Sequence, residues 1–596
     1  MTFTTPGLYH LGRTLAILTT PFVLTALLDR FVLQPLNVRP ASWVLITTSI
    51  LVLPALLFVR ILYRRIVARS RAAALGARLV PVVEGRWPGN LDIPLLLGEA
   101  RKTGYPGDGF WDFINKYGPT VNIHMLGINH VFTTNPDHIQ RVLASNFNNH
   151  VKGDTFQFNM RSVLGVGVFN SDGDMWKFHR SMTRPFFNRD KITRLELFDR
   201  HAEHVVVQMK RRLKEGYPID FQDLMGRFTL DSATEFLFGS CFHSLRETLP
   251  YPHNAPESNR RAAMTEAESF ATAFLACQEI VSQREDLGHL LWPFFEILQD
   301  KSKEPMKVVG GHIEKFVREA LKKSQSAEKT EEKTEEGIEE TLLDQLVSMT
   351  DDPKLIKDEV LNILIAGRDT TAGTLSFIIY LLSIHPKVLS KLREEISLNV
   401  GKDPRRKLTF EGIRGCKYLR AVINETLRLF PIVPFNVRET IHEETLPSPD
   451  PNLPPLYIPA NTRIGYSVFM MHRRKDLWGP DAEEFDPERF LDERYKKYLA
   501  PKPFIFLPFN AGPRICLGQQ FAYNEMSLMV IRLVQHFSSF TFDEEACPPD
   551  CRASPEWAAL KDGSRKSVDR IRPQFALTLS IAGGLWIKAK EAEGEV

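Results

Sequence analysis

The sequence predicts a mainly α-helical domain with small β-sheets, an α+β fold, behind an N-terminal membrane anchor. Three observations carry this. Long apolar runs of helical character recur, above all at 262–298 and 358–382. β-prone runs are short and broken by turn residues, at 121–133 and 575–586. Two apolar stretches lie near the N-terminus, at 14–28 and 41–59.

Length and composition narrow the classes. A chain of 596 residues exceeds the usual single domain, so length alone predicts several. The net charge of +3 is too small for a nucleic-acid partner, and no basic-aromatic patch of the kind single strands need is present. The cysteines, Cys241, Cys277, Cys416, Cys516, Cys547 and Cys551, are few and unevenly spaced. They form no disulfide framework and suit a reducing, cytosol-facing domain. Cys547 and Cys551 could cross-link or bind metal; a polar loop with two incidental cysteines is the simpler reading.

The elements follow in order. The stretch 14–28 contains Pro21 and is short for a span, so a crossing, a re-entrant segment and an interfacial helix all stay open. The stretch 41–59 has nineteen uncharged residues. As a helix it measures roughly 28 Å at ~1.5 Å per residue, about one hydrocarbon core. Arg60, Arg64, Arg65, Arg69 and Arg71 follow and hold the downstream chain in the cytoplasm. A cleaved signal peptide is the rival, but no clear cleavage site follows the first run. The stretch 80–89 breaks helix repeatedly, and the soluble domain should begin there.

Residues 121–133 read as a hairpin and 136–146 as a helix. The G-x-G at Gly165 and Gly167 fails as a dinucleotide fingerprint, because Asn170 stands where the third glycine belongs. A loop lining a substrate cavity is the better reading. Trp176 and Arg180 share a helical face. Residues 324–337 are charged, repetitive and nearly free of apolar side chains, and should form a mobile surface loop. On the long helix 358–382, Thr370 can donate to the carbonyl of Ala366 and loosen the helix. Gly367 would allow close backbone approach there. Glu425 and Arg428 form an E-x-x-R, ordinarily a weak surface pair. Residues 543–569 read as a polar insertion of no evident role. Residues 575–586 read as a strand pair turning near Gly583 and Gly584.

The stretch 509–518 carries the most chemistry. Cys516 sits in a turn built from Gly512, Pro513 and Gly518, just before a helix-like apolar run. A helix N-terminus favours a thiolate, and thiolates bind soft metals and haem iron. A lone cysteine beside a helix is ordinarily a buried free thiol. Here Phe509, Gly512, Arg514, Cys516 and Gly518 together match the haem-binding loop of the cytochrome P-450 family.

The resemblance covers roughly 81–590, with the family's motifs in order: W-x-x-x-R, A-G-x-D-T-T, E-x-x-R, P-E-R-F, F-x-x-G-x-R-x-C-x-G. It implies one large domain at 81–596 behind an anchor and linker at 1–80, with a long central helix over a haem. Cys516 would be the axial thiolate of haem b, with Phe509 packed near the sulfur. Gly512 and Gly518 would let the backbone approach the sulfur. Arg514, Trp176, Arg180 and Arg438 would serve the propionates. Thr370 would organise protons with Asp369 relaying them, and Gly367 would approach the haem. Glu425, Arg428 and Arg489 would form a buried structural triad. The implied function is a monooxygenase of the endoplasmic reticulum membrane, facing the cytosol. It would use O2 and electrons from NADPH through a separate NADPH–cytochrome P-450 reductase, with cytochrome b5 as an optional donor. The segments 164–169, 283–288 and 472–478 resemble the fungal microsomal branch that hydroxylates n-alkanes and fatty acids. The expected lining at 156–158, 363–366 and 432–435 carries almost no charge, as a membrane-dissolved substrate requires. The alternatives are aromatic or terpenoid substrates, a haem-thiolate isomerase or dehydratase, and a non-catalytic haem sensor or carrier. Asp369 and Thr370 argue against the last two.

Overall fold

A computed structural model describes residues 5–125, 127–187, 195–256, 264–330 and 341–592. Its axis is the central helix Pro353–Ile384. Asp352 caps that helix by accepting from the N–H groups of Lys354 and Leu355. Pro353 fills the first turn, where no N–H is needed. From Asp358 to Leu382 every residue is buried except Ala366, Gly367 and Thr370. A helix apolar on all sides belongs inside a large protein, and this one has core on all sides. Its C-terminal half, with Phe377 and Tyr380, packs against Val530 and Phe430. Its N-terminal half, with Val360 and Leu364, shares an apolar cluster with Phe270 and Phe274 of helix Glu266–Leu291, called the roof helix below.

The hairpin stands at Thr120–Asn122 and His130–Thr133. It starts a five-stranded sheet that continues through Arg463–Ser467 and Phe435–Thr440 to His150–Val151. This sheet sets Arg438 opposite Ile464.

Three expectations need correction. The C-terminal strand pair is Pro573–Phe575 with Leu579–Ile581, so its turn falls at 576–578. Gly583 and Gly584 instead turn the chain toward Trp586–Glu591, which pairs with Phe537–Phe542 and Ile219–Asp220. Both glycines have positive φ, and a Cβ on Gly584 would lie 2.3 Å from Asp220. The insertion 543–569 is a core element. It buries Trp557, Arg565 and Asp569. Asp569 accepts from Tyr105 Oη at 2.7 Å, Arg565 Nε at 2.9 Å and Tyr380 Oη at 3.3 Å. A buried carboxylate needs such partners, which individually polar letters did not reveal. The expected loop from 324 begins as helix, since Lys303–Thr330 runs through its first residues. The rest of it, 331–337, lies outside the described residues.

Two helices at the N-terminus, Pro6–Leu33 and Ser42–Ala74, are long and apolar enough to cross a membrane. Thr25 and Ser49 hydrogen-bond between them at 2.5 Å. Both also touch the rest of the chain. Thr5 Oγ1 donates to the carbonyl of Ile297 at 2.5 Å, and a Cβ on Gly7 would meet Pro293 O at 2.4 Å. Arg71 pairs with Glu443.

Candidate active site

The cysteine loop is shaped by two residues of positive φ, Asn510 and Gly512. It closes where the N–H of Cys516 donates to the carbonyl of Phe509 at 3.1 Å. The Phe509 ring packs on Tyr523, centroids 5.1 Å apart. Gly512 makes room for a neighbour: a Cβ there would strike the Leu143 carbonyl. Gly518 is the N-cap of the helix Gln519–His536. Burial pushes the Cys516 thiol up, while the Gly518 N–H and Arg180 pull it down. The residue is nevertheless accessible.

Cations gather beside that loop. Arg514 donates to Asp172 Oδ1 at 2.7 Å and lies over the Trp176 ring, 4.5 Å from its centroid. Burial and Arg438 hold its guanidinium down to about 10. Arg438 is buried and its Nη1 donates to the Val437 carbonyl at 2.7 Å. Arg180 Nη2 donates to the carbonyl of Ile515 at 2.8 Å, next to Cys516. The sequence reading missed Lys152. Its ammonium lies over the Phe156 ring, 4.2 Å from the centroid. Burial, then Arg438 and Arg514, drive it well below the usual lysine range. Among the described residues, the Arg514–Asp172 bridge is the only ion pair these four cations make. Arg514 Nε is buried without a partner. Asp172 itself is taken up with the N–H groups of Lys152 and Gly153. An excess of positive charge beside the thiol, on the buried Arg438 and the half-buried Lys152, Arg180 and Arg514, fits a dianionic, thiolate-ligated group such as haem b.

The central helix supplies the third wall. Thr370 Oγ1 donates to Ala366 O at 2.6 Å, the bond expected from the spacing. Ala366, Gly367 and Thr370, at i, i+1 and i+4, lie along one face and are its open residues. A Cβ on Gly367 would point at Ala233, 3.6 Å away, so its bare side serves a helix contact. Asp369 turns from Thr370: its carboxylate meets Arg368 and Gln278. The same helix holds the 164–169 loop by three side chains. Asp358, Glu359 and Asn362 accept from the N–H groups of Val166, Val168 and Phe169 at 3.0–3.1 Å. The approach is so close that a Cβ on Gly165 would strike Asp358, and one on Gly167 would strike Asn362. The two glycines are there for that contact. Polar residues at 358, 359 and 362 in an apolar helix were the missed signal. Glu359 Oε2 also meets His179 Nδ1 at 2.8 Å, on the helix that carries Trp176 and Arg180.

Behind the loop, Glu425 grips Arg428 at 2.7 and 2.8 Å, and Arg489 Nε lies 3.5 Å from Glu425. All three are buried. Arg428 also donates to the carbonyls of His472, Ala482 and Glu484. Arg489 spends its Nη atoms on Asp481 and the Trp478 carbonyl. Burial opposes charge on Asp481, but Arg489 and Arg494 outweigh it and hold the carboxyl down to about 2.

A helical core around one long helix, a deep thiol in a turn before another helix, and a cationic cradle define a haem-binding helical enzyme. The Cytochrome P450 family model matches residues 88–562, and the chain belongs to that family. It is similar to Cytochrome P450 52A3-A of Candida maltosa, 37% identical over 476 residues, 78% of this chain and 86% of the relative. Cytochrome P450 52A6 of Candida tropicalis is 36% identical over 500 residues, 81% of this chain and 90% of the relative. Cytochrome P450 monooxygenase alt2 of Alternaria solani is 33% identical over 487 residues, 78% and 86% of the two chains. This chain is a membrane P450 and a haem-thiolate monooxygenase. It uses haem b, O2 and NADPH-derived electrons delivered by a redox partner, and it takes apolar substrates.

Proposed function

We propose that this monooxygenase hydroxylates n-alkanes or fatty acids near one end of the chain. The observation that carries this is the wall around the open stretch of the central helix. Phe156, Leu164 and Val168 share one apolar cluster with Ile363 and Leu364, and between Asp358 and Leu382 the central helix leaves open only Ala366, Gly367 and Thr370. A long apolar chain meets no ionic anchor on those side chains and is positioned by shape. The apolar residues Leu290, Leu291, Phe295 and Leu298 are exposed beside the first anchor helix, a surface for a ligand held in lipid.

In this reading Cys516 gives the thiolate. Lys152, Arg438, Arg514 and the Trp176 indole hold the propionates, and Arg180 braces the loop through Ile515. Haem, once bound, supplies the reductive activation of O2. The chain's own part is to place substrate, exclude water and meter protons. Thr370, loosened from the helix ladder, presents a hydroxyl to the open face. Asp369 exchanges protons with solvent behind it. Glu425, Arg428 and Arg489 keep the loop's backing rigid. Residues 1–80 are anchor and linker, and 81–596 the catalytic domain. That domain faces the cytosol from the endoplasmic reticulum membrane and accepts electrons from NADPH–cytochrome P450 reductase, with cytochrome b5 as a second donor.

The test is turnover of dodecane and lauric acid by the full-length enzyme with a fungal reductase, with products analysed for terminal and near-terminal alcohols. Both substrates should give such alcohols. No product from either, beside good turnover of a polycyclic aromatic, overturns the aliphatic reading and leaves the monooxygenase intact.

A further inference from the structure

The roof helix reaches the proton-handling end of the site through a single amide. Gln278 Nε2 donates to Asp369 Oδ2 at 2.5 Å, and Arg368 Nη1 donates to Oδ1 at 2.5 Å. Both carboxylate oxygens are therefore engaged. All three side chains are buried, Gln278 to 2%, Arg368 to 6% and Asp369 to 8% exposure. One turn before Gln278, Phe274 lies under the Arg368 guanidinium, 5.4 Å from ring centroid to Cζ. From helix Phe221–Phe238 the neighbour of that guanidinium is Gly226. Thr370 meanwhile donates to Ala366. Acid and alcohol are adjacent in sequence yet face different partners, since successive helix residues lie about 100° apart around the axis.

This amide does more than fill space. A methionine would occupy the same volume without the cost of desolvating an amide. A buried Arg–Asp pair keeps its charges only if the remaining lone pairs are satisfied, and here the roof helix satisfies one. Arg368 Nε has no partner, so on the carboxylate side the Gln278 amide is the bond that completes Asp369. The roof helix also shares an apolar cluster with the 164–169 loop and the central helix, where substrate would insert.

We propose that Gln278 is a positioning residue that holds Asp369 toward the roof helix, so that the acid turns to Thr370 only when substrate shifts that helix. The proposal rests on the proton-relay reading of Asp369 and Thr370. Gln278 gains and loses no proton: Asp369 takes one from water and passes one on. The device ties proton delivery to an occupied site and limits wasted reduction of O2.

The experiment compares wild-type holoenzyme, Gln278→Met, Asp369→Asn and the double variant, all with reductase. Without substrate, Gln278→Met should raise NADPH oxidation about fivefold, the weight of one net hydrogen bond. In the Asp369→Asn background the same change should do nothing further. Independently of turnover, the infrared difference between Gln278→Met and wild type should show a shifted carboxylate stretch that is absent in the Asp369→Asn background. An unchanged leak with an unmoved band overturns the proposal, as does an effect that persists without the Asp369 carboxylate. Should Gln278→Met lose haem, Gln278→Leu carries the same comparison. Failure of the relay reading would appear separately, as normal coupling in Asp369→Asn alone.

Discussion

Two groups of buried and half-buried charge lie on either side of the cysteine loop, and they are built on opposite plans. Behind it, Glu425 and Asp481 answer Arg428 and Arg489, Arg494 at the rim is shared by Asp481, Asp486 and Asp492, and spare N–H donors go to main-chain carbonyls. In front of it, Lys152, Arg180, Arg438 and Arg514 meet one carboxylate, Asp172. A network that serves the fold closes on itself, because each unpaired buried charge costs several kcal/mol. A network that serves a ligand stays short of counter-charge until the ligand arrives. Charge balance therefore separates scaffold from site, independently of motif.

The comparison breaks hardest at the closed group. Glu425→Ala should strand the buried Arg428 guanidinium, which has no other carboxylate among the described residues, and cost about 3–5 kcal/mol. The expected result is a protein that neither folds stably nor takes up haem, read by denaturant unfolding and haem content. At the open group the sign reverses. Lys152→Met removes a half-buried charge that has no ion-pair partner among the described residues, so the haem-free protein should unfold at equal or higher temperature while haem is lost more readily. Calorimetry of the haem-free form and haem transfer to apomyoglobin check the two halves.

Thr370→Ala should leave folding and haem content intact but raise peroxide at the expense of product. Unchanged coupling between NADPH used and product formed would remove Thr370 from proton handling. A pH-dependent effect concerns Glu525, which burial pushes up to about 8 beside Thr371 and Ser232. Its raised value means that stability is fully present below about 4.5 and is lost as pH rises toward 8. Glu525→Gln should therefore gain in melting temperature over wild type as pH rises from 5 to 8, with no difference near 4. A gap independent of pH would contradict this.

How much of this was legible depended on whether a residue acts through a pattern or alone. The central helix, the hairpin and the anchor follow from periodicity and apolar length. Cys516, Arg514, Thr370, Glu425 and Arg489 sit in motifs whose spacing carries information. Lys152, Gln278 and Asp481 do not: each is a single polar letter whose role comes from partners more than 90 residues away or across a turn. The insertion 543–569 looked polar because its buried members, Arg565 and Asp569, satisfy one another only after folding. Gly512, Gly165 and Gly167 were noticed, but the backbone and side chains that require them belong to other segments.

The central claim is that the open group is a haem cradle and Cys516 its thiolate. The most direct measurement is the absorption spectrum of the ferrous carbon monoxide complex of Cys516→Ser beside wild type, in protein shown by circular dichroism to be folded. Wild type should show the strongly red-shifted Soret band of a thiolate-ligated haem, and the variant should lack it. A folded Cys516→Ser protein that keeps the red-shifted band would contradict the assignment.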